Sequence, residues 1–217
     1  MPEDAALPTT TSEGGEDVAA AATPRKRPKP GERRLQILQT LAAMLEQPGA
    51  ERVTTAALAG RLQVSEAALY RHFASKAQMF EGLIEFIEQS VFQLVGAITA
   101  DESAGGTQQA RSILSVLLQF GEKNPGMVRV MVGDALVLEH ERLQGRMNQF
   151  FDRIESSLRQ CLRPALAEEG AATPTVDAHV QASVLTAFAI GRLQRFARSG
   201  FRRLPTEQLD ASLQRLL

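Results

Sequence analysis

The sequence predicts an all-α protein, and three observations support this class. From Glu32 onward, apolar residues recur at intervals of three and four, the spacing that places them on one face of a helix. No segment shows the sustained apolar and polar alternation of a half-buried strand, and aromatic residues make up only 5% of the chain. Prolines and glycines interrupt the pattern at intervals typical of helix ends. The 217 residues are long enough to fold as one or two compact domains.

Three short predicted helices open the folded part of the chain. The first ends at Pro48-Gly49. Thr54 or Thr55 can cap the second, and Ser65 can cap a third that runs through His72, because serine and threonine oxygens accept the free N–H groups at a helix start.

Longer helices follow. Ser75 can cap a fourth helix, which leads to a Gly- and Ser-containing loop at 101–107. Further helices are predicted at about 108–123, 126–138, 140–168, 175–199 and 206–216 from the apolar spacing. The predicted core face of the fourth helix consists of Met79, Phe80, Leu83, Ile84, Ile87, Val91 and Leu94.

Basic charge is concentrated in one part of the chain, although the net charge is only −1. Residues 1–24 hold five acidic side chains and no basic one, whereas residues 25–80 hold ten basic and four acidic side chains. A protein that contacts phosphates needs such a local excess. We expect residues 1–30 to be disordered, because they lack apolar periodicity. Their basic stretch at 25–29 is interpreted either as part of a solubilising tail or as an arm on the DNA backbone.

Several functional classes are not expected. Polar residues or glycine interrupt each apolar run before the roughly 20 residues that a membrane span needs, and no secretory signal is recognised, so we predict a cytoplasmic protein. Cys161 is the single cysteine, and His140 and His179 lack a second ligand at workable spacing, so we predict no metal and no cofactor. The sequence contains no recognisable catalytic arrangement or phosphate-binding loop, and we do not expect an enzyme.

Residues 54–73 have the construction of a helix-turn-helix. Two helices that cross at a tight turn need a small side chain there, and Ala59 supplies it. The apolar residues of this segment can form a shared miniature core with the first helix: Leu58, Leu62, Val64, Leu69 and Phe73. Any hairpin of two short amphipathic helices could give this pattern, and the local basic excess is what favours DNA binding.

The outward positions of the second of these helices are suited to a DNA major groove. Small residues at its start let the backbone approach, and longer polar side chains reach phosphates or base edges. The predicted DNA-contacting residues are Arg33, Thr54, Thr55, Ser65, Glu66, Ala67, Tyr70, Arg71, His72 and Lys76.

The segment at 64–76 resembles the N-terminal domain of the TetR family of regulators. The family pattern Leu-Tyr-x-His-Phe-x-x-Lys is matched by Leu69, Tyr70, His72, Phe73 and Lys76. The resemblance implies a three-helix helix-turn-helix domain at 31–76, followed by a helical dimerisation and partner-binding domain at 77–217. The family usually has glycine in the turn where this chain has Gln63, and a left-handed backbone there would cost about 1 kcal/mol.

Stretches outside the helix-turn-helix, at 83–88, 120–126 and 141–146, resemble one subgroup of the family, the nucleoid occlusion factors. This resemblance implies a nucleoid-associated protein that binds short palindromic DNA and, when DNA-bound, inhibits assembly of the division protein FtsZ. Such a protein blocks septum formation over the chromosome. The alternative is a ligand-responsive transcriptional repressor of the same family.

The subgroup resemblance also makes Phe86, Lys123 and Asn124 candidates for the FtsZ-binding surface. Spacing alone instead favours a core position for Phe86 and a solvated helix end for Lys123 and Asn124. Where the subgroup has arginine in the fourth helix, this chain has Leu94. The expected ligand is the C-terminal tail of FtsZ, in an apolar groove beside the fourth helix.

A helix-turn-helix protein typically binds two half-sites as a symmetric homodimer. We predict that helix 175–199 forms the interface through Val180, Val184, Phe188 and Gly191. The neighbouring helix is expected to join a four-helix interface through Met147, Phe150, Phe151, Ile154 and Leu158. The alternative for both sets is a place in the core of one chain.

Overall fold

The computed structural model describes residues 31–47 and 53–217, and the regular elements within these ranges are all helical, which confirms the all-α prediction. The predicted tail at 1–30, its basic stretch at 25–29 and the predicted helix end at Pro48-Gly49 lie outside the described residues. A 3-10 turn, Asp134–Leu136, lies between α6 and α7. The α-helices are α1 Glu32–Leu45, α2 Thr55–Leu62, α3 Glu66–Tyr70, α4 Lys76–Ala100, α5 Gly106–Lys123, α6 Pro125–Met131, α7 Glu141–Glu168, α8 Pro174–Arg198 and α9 Leu209–Leu216.

Helices α1 to α3 pack together and against the first part of α4. Their contact is apolar: Ile37 and Leu41 of α1 and Leu58 of α2 are each 1% exposed. Helix α3 ends at Tyr70, two residues earlier than predicted, and Arg71 and His72 form the turn that follows it. This short unit is the three-helix domain that the sequence predicts.

Helix α4 connects the two domains, and it contacts α1, α5, α6 and α7. Its buried residues follow one face in steps of three and four as far as Val91 and Val95. The prediction that Leu94 belongs to this face is wrong: Leu94 is 47% exposed, because Val95 takes the next core position.

By length and composition α4 could also cross a membrane, so the expectation that no apolar run is long enough was too strict. Here α4 packs as a core helix.

Helices α5, α7 and α8 complete the C-terminal domain, and α7 and α8 pack along most of their length. The predicted interface stripe of α7 is buried within the chain: Met147, Phe150, Phe151, Ile154 and Leu158 are all at most 8% exposed. The expectation that this stripe forms part of a dimer interface is therefore wrong, because α4, α5 and α8 already cover it.

The predicted helix at 126–138 is interrupted. Helix α6 ends at Met131, and Gly133 has a positive φ of 86°, a conformation that glycine adopts at little cost. The chain then forms the 3-10 turn before α7 begins at Glu141.

The contact between α1 and α6 joins the two domains at close range. A Cβ built on Gly126 would lie 2.0 Å from the carbonyl oxygen of Ala42, so only glycine fits at this position. The first turn of α6 therefore lies directly against the backbone of α1.

Candidate nucleic-acid interface

Both helices of the helix-turn-helix begin at a capped residue, as predicted. The N–H of Ala57 donates to Thr54 Oγ1 at 3.1 Å, and the N–H of Ala68 donates to Ser65 Oγ at 3.3 Å. Thr54, and not Thr55, is thus the cap of α2. These bonds satisfy N–H groups that the first turn of each helix leaves without a partner.

The turn between the two helices contains a left-handed residue. Gln63 has φ 55° and ψ 46°. Its N–H donates to the Gly60 carbonyl at 3.1 Å, and the N–H of Val64 donates to the Ala59 carbonyl at 3.0 Å, the two bonds of a Schellman ending. The predicted strain at Gln63 is therefore present, and the expected cost is about 1 kcal/mol.

The miniature core beneath the turn has formed. Leu58, Leu69 and Phe73 are at most 1% exposed, and Ala59 at the helix crossing is 3% exposed. Leu62 and Val64 are half-buried against this core. With its inner side fixed, α3 can present only its other side to a ligand.

That outer side of α3 and the turn after it carry the predicted DNA-facing residues. Glu66, Ala67, Arg71 and His72 are exposed, and Tyr70 is 45% exposed. The hydroxyl of Thr55 donates to Glu66 Oε2 at 2.6 Å, so these two residues tie α2 to α3.

Two arginines flank the helix-turn-helix from α1. Arg33 Nη1 donates to Gln36 Oε1 at 2.7 Å within the first turns of that helix. The guanidinium of Arg34 lies 4.1 Å from the Phe73 ring centroid and donates to the His72 carbonyl at 3.0 Å. Arg34 was not among the predicted contacts, because no sequence spacing relates residues 38 apart in the chain. It fixes the end of α3 relative to α1.

Lys76, the last predicted DNA contact, is engaged elsewhere. Its ammonium forms an ion pair with Glu139, and the two side chains are 28% and 11% exposed. Glu139 lies between the 3-10 turn and α7, so this pair joins the start of α4 to the C-terminal domain. A direct contact between Lys76 and DNA remains a prediction, and it would require the ammonium to exchange partners.

Two further ion pairs continue along α4. Arg142 contacts Glu81 at 2.7 Å, and Arg146 contacts Glu88 at 2.6 Å, with a second bond of 3.1 Å from Nε. The hydrogen bond that Arg146 donates to the Glu88 carboxylate raises the pKa of Arg146 above its ordinary value. The start of α7 is thereby held beside the first half of α4.

The predicted partner-binding residues lie on α4 and at the end of α5. Phe86 is 38% exposed, so the core position that spacing favours is wrong. Lys123 is exposed, and Asn124 Nδ2 donates to the Phe120 carbonyl at 2.8 Å, which closes α5. In the α4–α5 hairpin, Phe86 and Lys123 lie about 21 Å and 26 Å along their helices from the connecting loop. The two residues therefore lie at a similar distance from the α4–α5 loop.

Helix α8 carries the predicted dimer interface. Val180 and Val184 are 57% and 49% exposed, and Val176 one turn earlier is 59% exposed. Phe188 and Gly191 are half-buried beside an open groove of about 520 Å³. Large apolar side chains in a row on an exposed helix face are typical of an interaction surface.

Comparison with known families and relatives assigns both parts of the chain. The model of the tetR family of bacterial regulatory proteins matches residues 37–83, and an SlmA-like, tetracyclin repressor-like C-terminal domain matches residues 107–217. The nucleoid occlusion factor SlmA of Idiomarina loihiensis is 52% identical over 182 residues, which cover 84% of this chain and 92% of that protein. SlmA of Salmonella dublin is 51% identical over 180 residues, or 82% and 90% of the two chains.

Solved structures show the same fold at low sequence identity. The fatty acid degradation regulator FadR of Bacillus halodurans has a TM-score of 0.68 at 14% identity, over 88% of this chain and 96% of that chain. The TetR-family regulator PfmR of Thermus thermophilus has a TM-score of 0.66 at 19% identity, over 84% and 94%. The matching family models and the named SlmA relatives describe regulatory proteins, in agreement with the prediction that the chain is not an enzyme. The chain belongs to the TetR family and, within it, to the SlmA-like group.

Proposed function

We propose that this chain is a nucleoid occlusion factor that binds palindromic DNA as a homodimer and, when DNA-bound, inhibits FtsZ assembly. The observation that carries the proposal is the identity of 51–52% to proteins named nucleoid occlusion factor SlmA, which extends over both domains. A match limited to the helix-turn-helix would support DNA binding alone. The proposed location is the cytoplasm, at the nucleoid.

In this proposal the domain at 31–76 binds DNA through the outer side of α3. Tyr70, Arg71 and His72 reach the groove and its phosphates, and the capped starts of α2 and α3 lie nearest the backbone. Thr54, Thr55 and Ser65 mark those starts, and Ala67 is small enough to allow close approach. Arg33 adds a positive charge at the edge of the site, and Lys76 joins it if it leaves Glu139.

The domain at 77–217 provides the partner and dimer surfaces. Phe86 offers an exposed aromatic ring on α4, and Lys123 and Asn124 add polar groups at a similar distance from the α4–α5 loop. An apolar ring beside polar groups suits a short peptide such as the FtsZ tail. The exposed valines of α8, which are Val176, Val180 and Val184, pair together with Phe188 and Gly191 against the same residues of a second copy.

FtsZ sedimentation with and without DNA tests this function. Wild-type protein is mixed with FtsZ and GTP, and the pelleted polymer is measured with no DNA, with a scrambled duplex and with a palindromic duplex selected by the protein from a random pool. We expect the selected duplex to increase inhibition. An equal polymer yield with and without the selected duplex at all protein ratios would refute the proposal.

Two variants separate the surfaces in the same assay. Tyr70→Ala is expected to weaken binding of the selected duplex without loss of helicity, and so to remove the DNA effect on FtsZ. Phe86→Ala is expected to retain DNA binding and lose inhibition. Lys76→Ala is a less direct test of DNA contact, because it also breaks the ion pair with Glu139. A repressor that responds to a small molecule would instead bind the duplex and leave FtsZ polymers unchanged.

A further inference from the structure

The end of α8 and the loop after it carry an unusual concentration of positive charge. Residues 192–203 include five arginines and no acidic residue. Four of them are exposed, and we call these the arginine patch: Arg195, Arg198, Arg202 and Arg203. The fifth, Arg192, is held within the chain by the Glu207 carbonyl at 2.7 Å and the Ser212 hydroxyl at 2.8 Å.

The patch arginines have no carboxylate partner within the described residues. The ion pairs there involve Lys76, Arg142 and Arg146 instead. A favourable position at the end of a helix dipole accounts for Arg195 and Arg198, which lie in the last turn of α8. Arg202 follows the helix, and its Nε donates to the carbonyl of Ser199, the residue that ends α8, at 2.9 Å. No contact of this kind accounts for the Arg203 side chain among the described residues.

The patch lies at the end of the C-terminal domain that faces the helix-turn-helix. Helix α6 packs on α1 at one side, through Gly126 against Ala42, and on the loop after α8 at the other, where the Arg129 guanidinium lies 5.2 Å from the Phe201 ring centroid. Helix α7 also begins at this end, beside Glu81 of α4. Because α8 returns antiparallel to α7, its last turn lies at the same end.

The patch also continues the proposed dimer surface. Arg198 follows Val180 by eighteen residues, which is five turns of a helix with 3.6 residues per turn, so both side chains project from the same face of α8. A two-fold axis that directs both helix-turn-helix units to one duplex keeps both copies of the patch on the DNA side. The proposed homodimer thus has a basic surface that faces the DNA between its two DNA-binding domains.

We propose that the arginine patch binds the sugar–phosphate backbone of the duplex held by the helix-turn-helix units, as a second and sequence-independent DNA contact. The inference rests on the proposed DNA-binding function and adds a site outside the N-terminal domain. Duplex DNA carries one negative charge per about 1.7 Å, and the planar guanidinium fork of arginine binds phosphate oxygens in pairs. Neutralised phosphates release counterions, so the contact weakens binding in a salt-dependent way when it is lost.

The test compares two double variants with equal loss of charge. Arg198→Gln/Arg203→Gln removes half of the patch. Arg163→Gln/Arg215→Gln is the matched control: both residues are exposed, Arg163 lies near Cys161, which packs on the start of α5, and Arg215 adjoins Leu216, whose carbonyl is bound by Gln181 early in α8. The control arginines therefore lie far from the helix-turn-helix.

Fluorescence anisotropy over a series of KCl concentrations gives the affinity for two duplexes of equal length, one selected by the wild-type protein and one scrambled. For the patch variant, the slope of log affinity against log salt is expected to fall by about 2 to 4, because each dimer loses four arginines and each phosphate contact contributes about 0.9. The fold loss should be the same for both duplexes. The control should retain the wild-type slope.

Three results would overturn the inference. The patch variant could show the same slope as the control. It could elute as a monomer in size-exclusion chromatography, which would assign Arg198 to the subunit interface. It could retain DNA affinity but lose binding to phosphatidylglycerol vesicles that the wild type binds, which would assign the patch to a lipid surface. Failure of the wild type to bind either duplex would instead refute the proposed function itself.

Discussion

Glycine at position 63 is expected to give a more stable DNA-binding domain than alanine at the same position. Gln63 ends α2 with φ 55° and ψ 46°. A Cβ in this region crowds the following carbonyl oxygen at a cost of about 1–2 kcal/mol, which glycine avoids. Glycine loses more backbone entropy on folding, and this difference offsets about 0.5–1 kcal/mol. With the midpoints of the two ranges, the net gain expected for glycine relative to alanine at this position is about 0.75 kcal/mol.

Thermal unfolding followed by circular dichroism measures this gain, since the chain has no tryptophan and only one tyrosine. A gain of 1 kcal/mol raises the Tm of a chain of this size by about 2–4 °C, so we expect a rise of about 1–4 °C for glycine over alanine. Gln63→Ala is the matched control, because it removes the same side-chain contacts as Gln63→Gly but keeps the Cβ.

A third variant tests the direction of the effect. Gln63→Val should lower the Tm below that of Gln63→Ala, because β-branched residues are especially disfavoured at positive φ. If the glycine variant melts no higher than the alanine variant, the backbone of the turn is not strained and the argument from φ fails. An increase in Tm for valine would have the same consequence.

Three other changes have defined outcomes. Arg146→Met breaks the paired hydrogen bonds to Glu88. Because water screens this partly exposed pair, the free energy of unfolding measured in urea should fall by only about 1 kcal/mol. A double-mutant cycle with Glu88→Gln checks that the loss belongs to the pair. Val184→Asp should shift the protein from dimer to monomer in size-exclusion chromatography while its helicity is retained, and an unchanged elution volume would place the interface elsewhere. Burial raises the pKa of the Cys161 thiol, so the folded protein at pH 8 should react with iodoacetamide far more slowly than the unfolded protein, as measured by mass spectrometry.

The features of the fold that the sequence could predict depend on residues that are close together in the chain. The caps at Thr54, Ser65 and Ser75 follow from a hydroxyl placed just before an apolar periodic segment, and each accepts the N–H of the third residue of its helix. The strain at Gln63 was predicted differently, from the resemblance to a family that usually has glycine at this position of the turn. These features need no knowledge of the rest of the molecule.

Contacts between distant residues could not be predicted in this way. Lys76 and Glu139 are 63 residues apart, and their pairing depends on how α4 meets the segment before α7. The stacking of Arg34 on Phe73 likewise depends on the packing of α1 against the end of α3. Periodicity identifies which face of a helix is apolar or polar, but it does not identify the element that covers that face.

Helix α8 has two apolar faces, and in this case the periodicity of its apolar residues also indicates a binding surface. One face, with Leu185, Leu193 and Phe196 at most 1% exposed, packs within the chain, while the other leaves Val180 and Val184 about half exposed. A helix on the surface of a single chain needs only one apolar face, so a second one indicates a second partner. Because α7 buries its own apolar stripe in the core, it cannot cover these valines. Another copy of α8 has a complementary row of valines, and for this reason we propose that the subunit interface of the homodimer lies there.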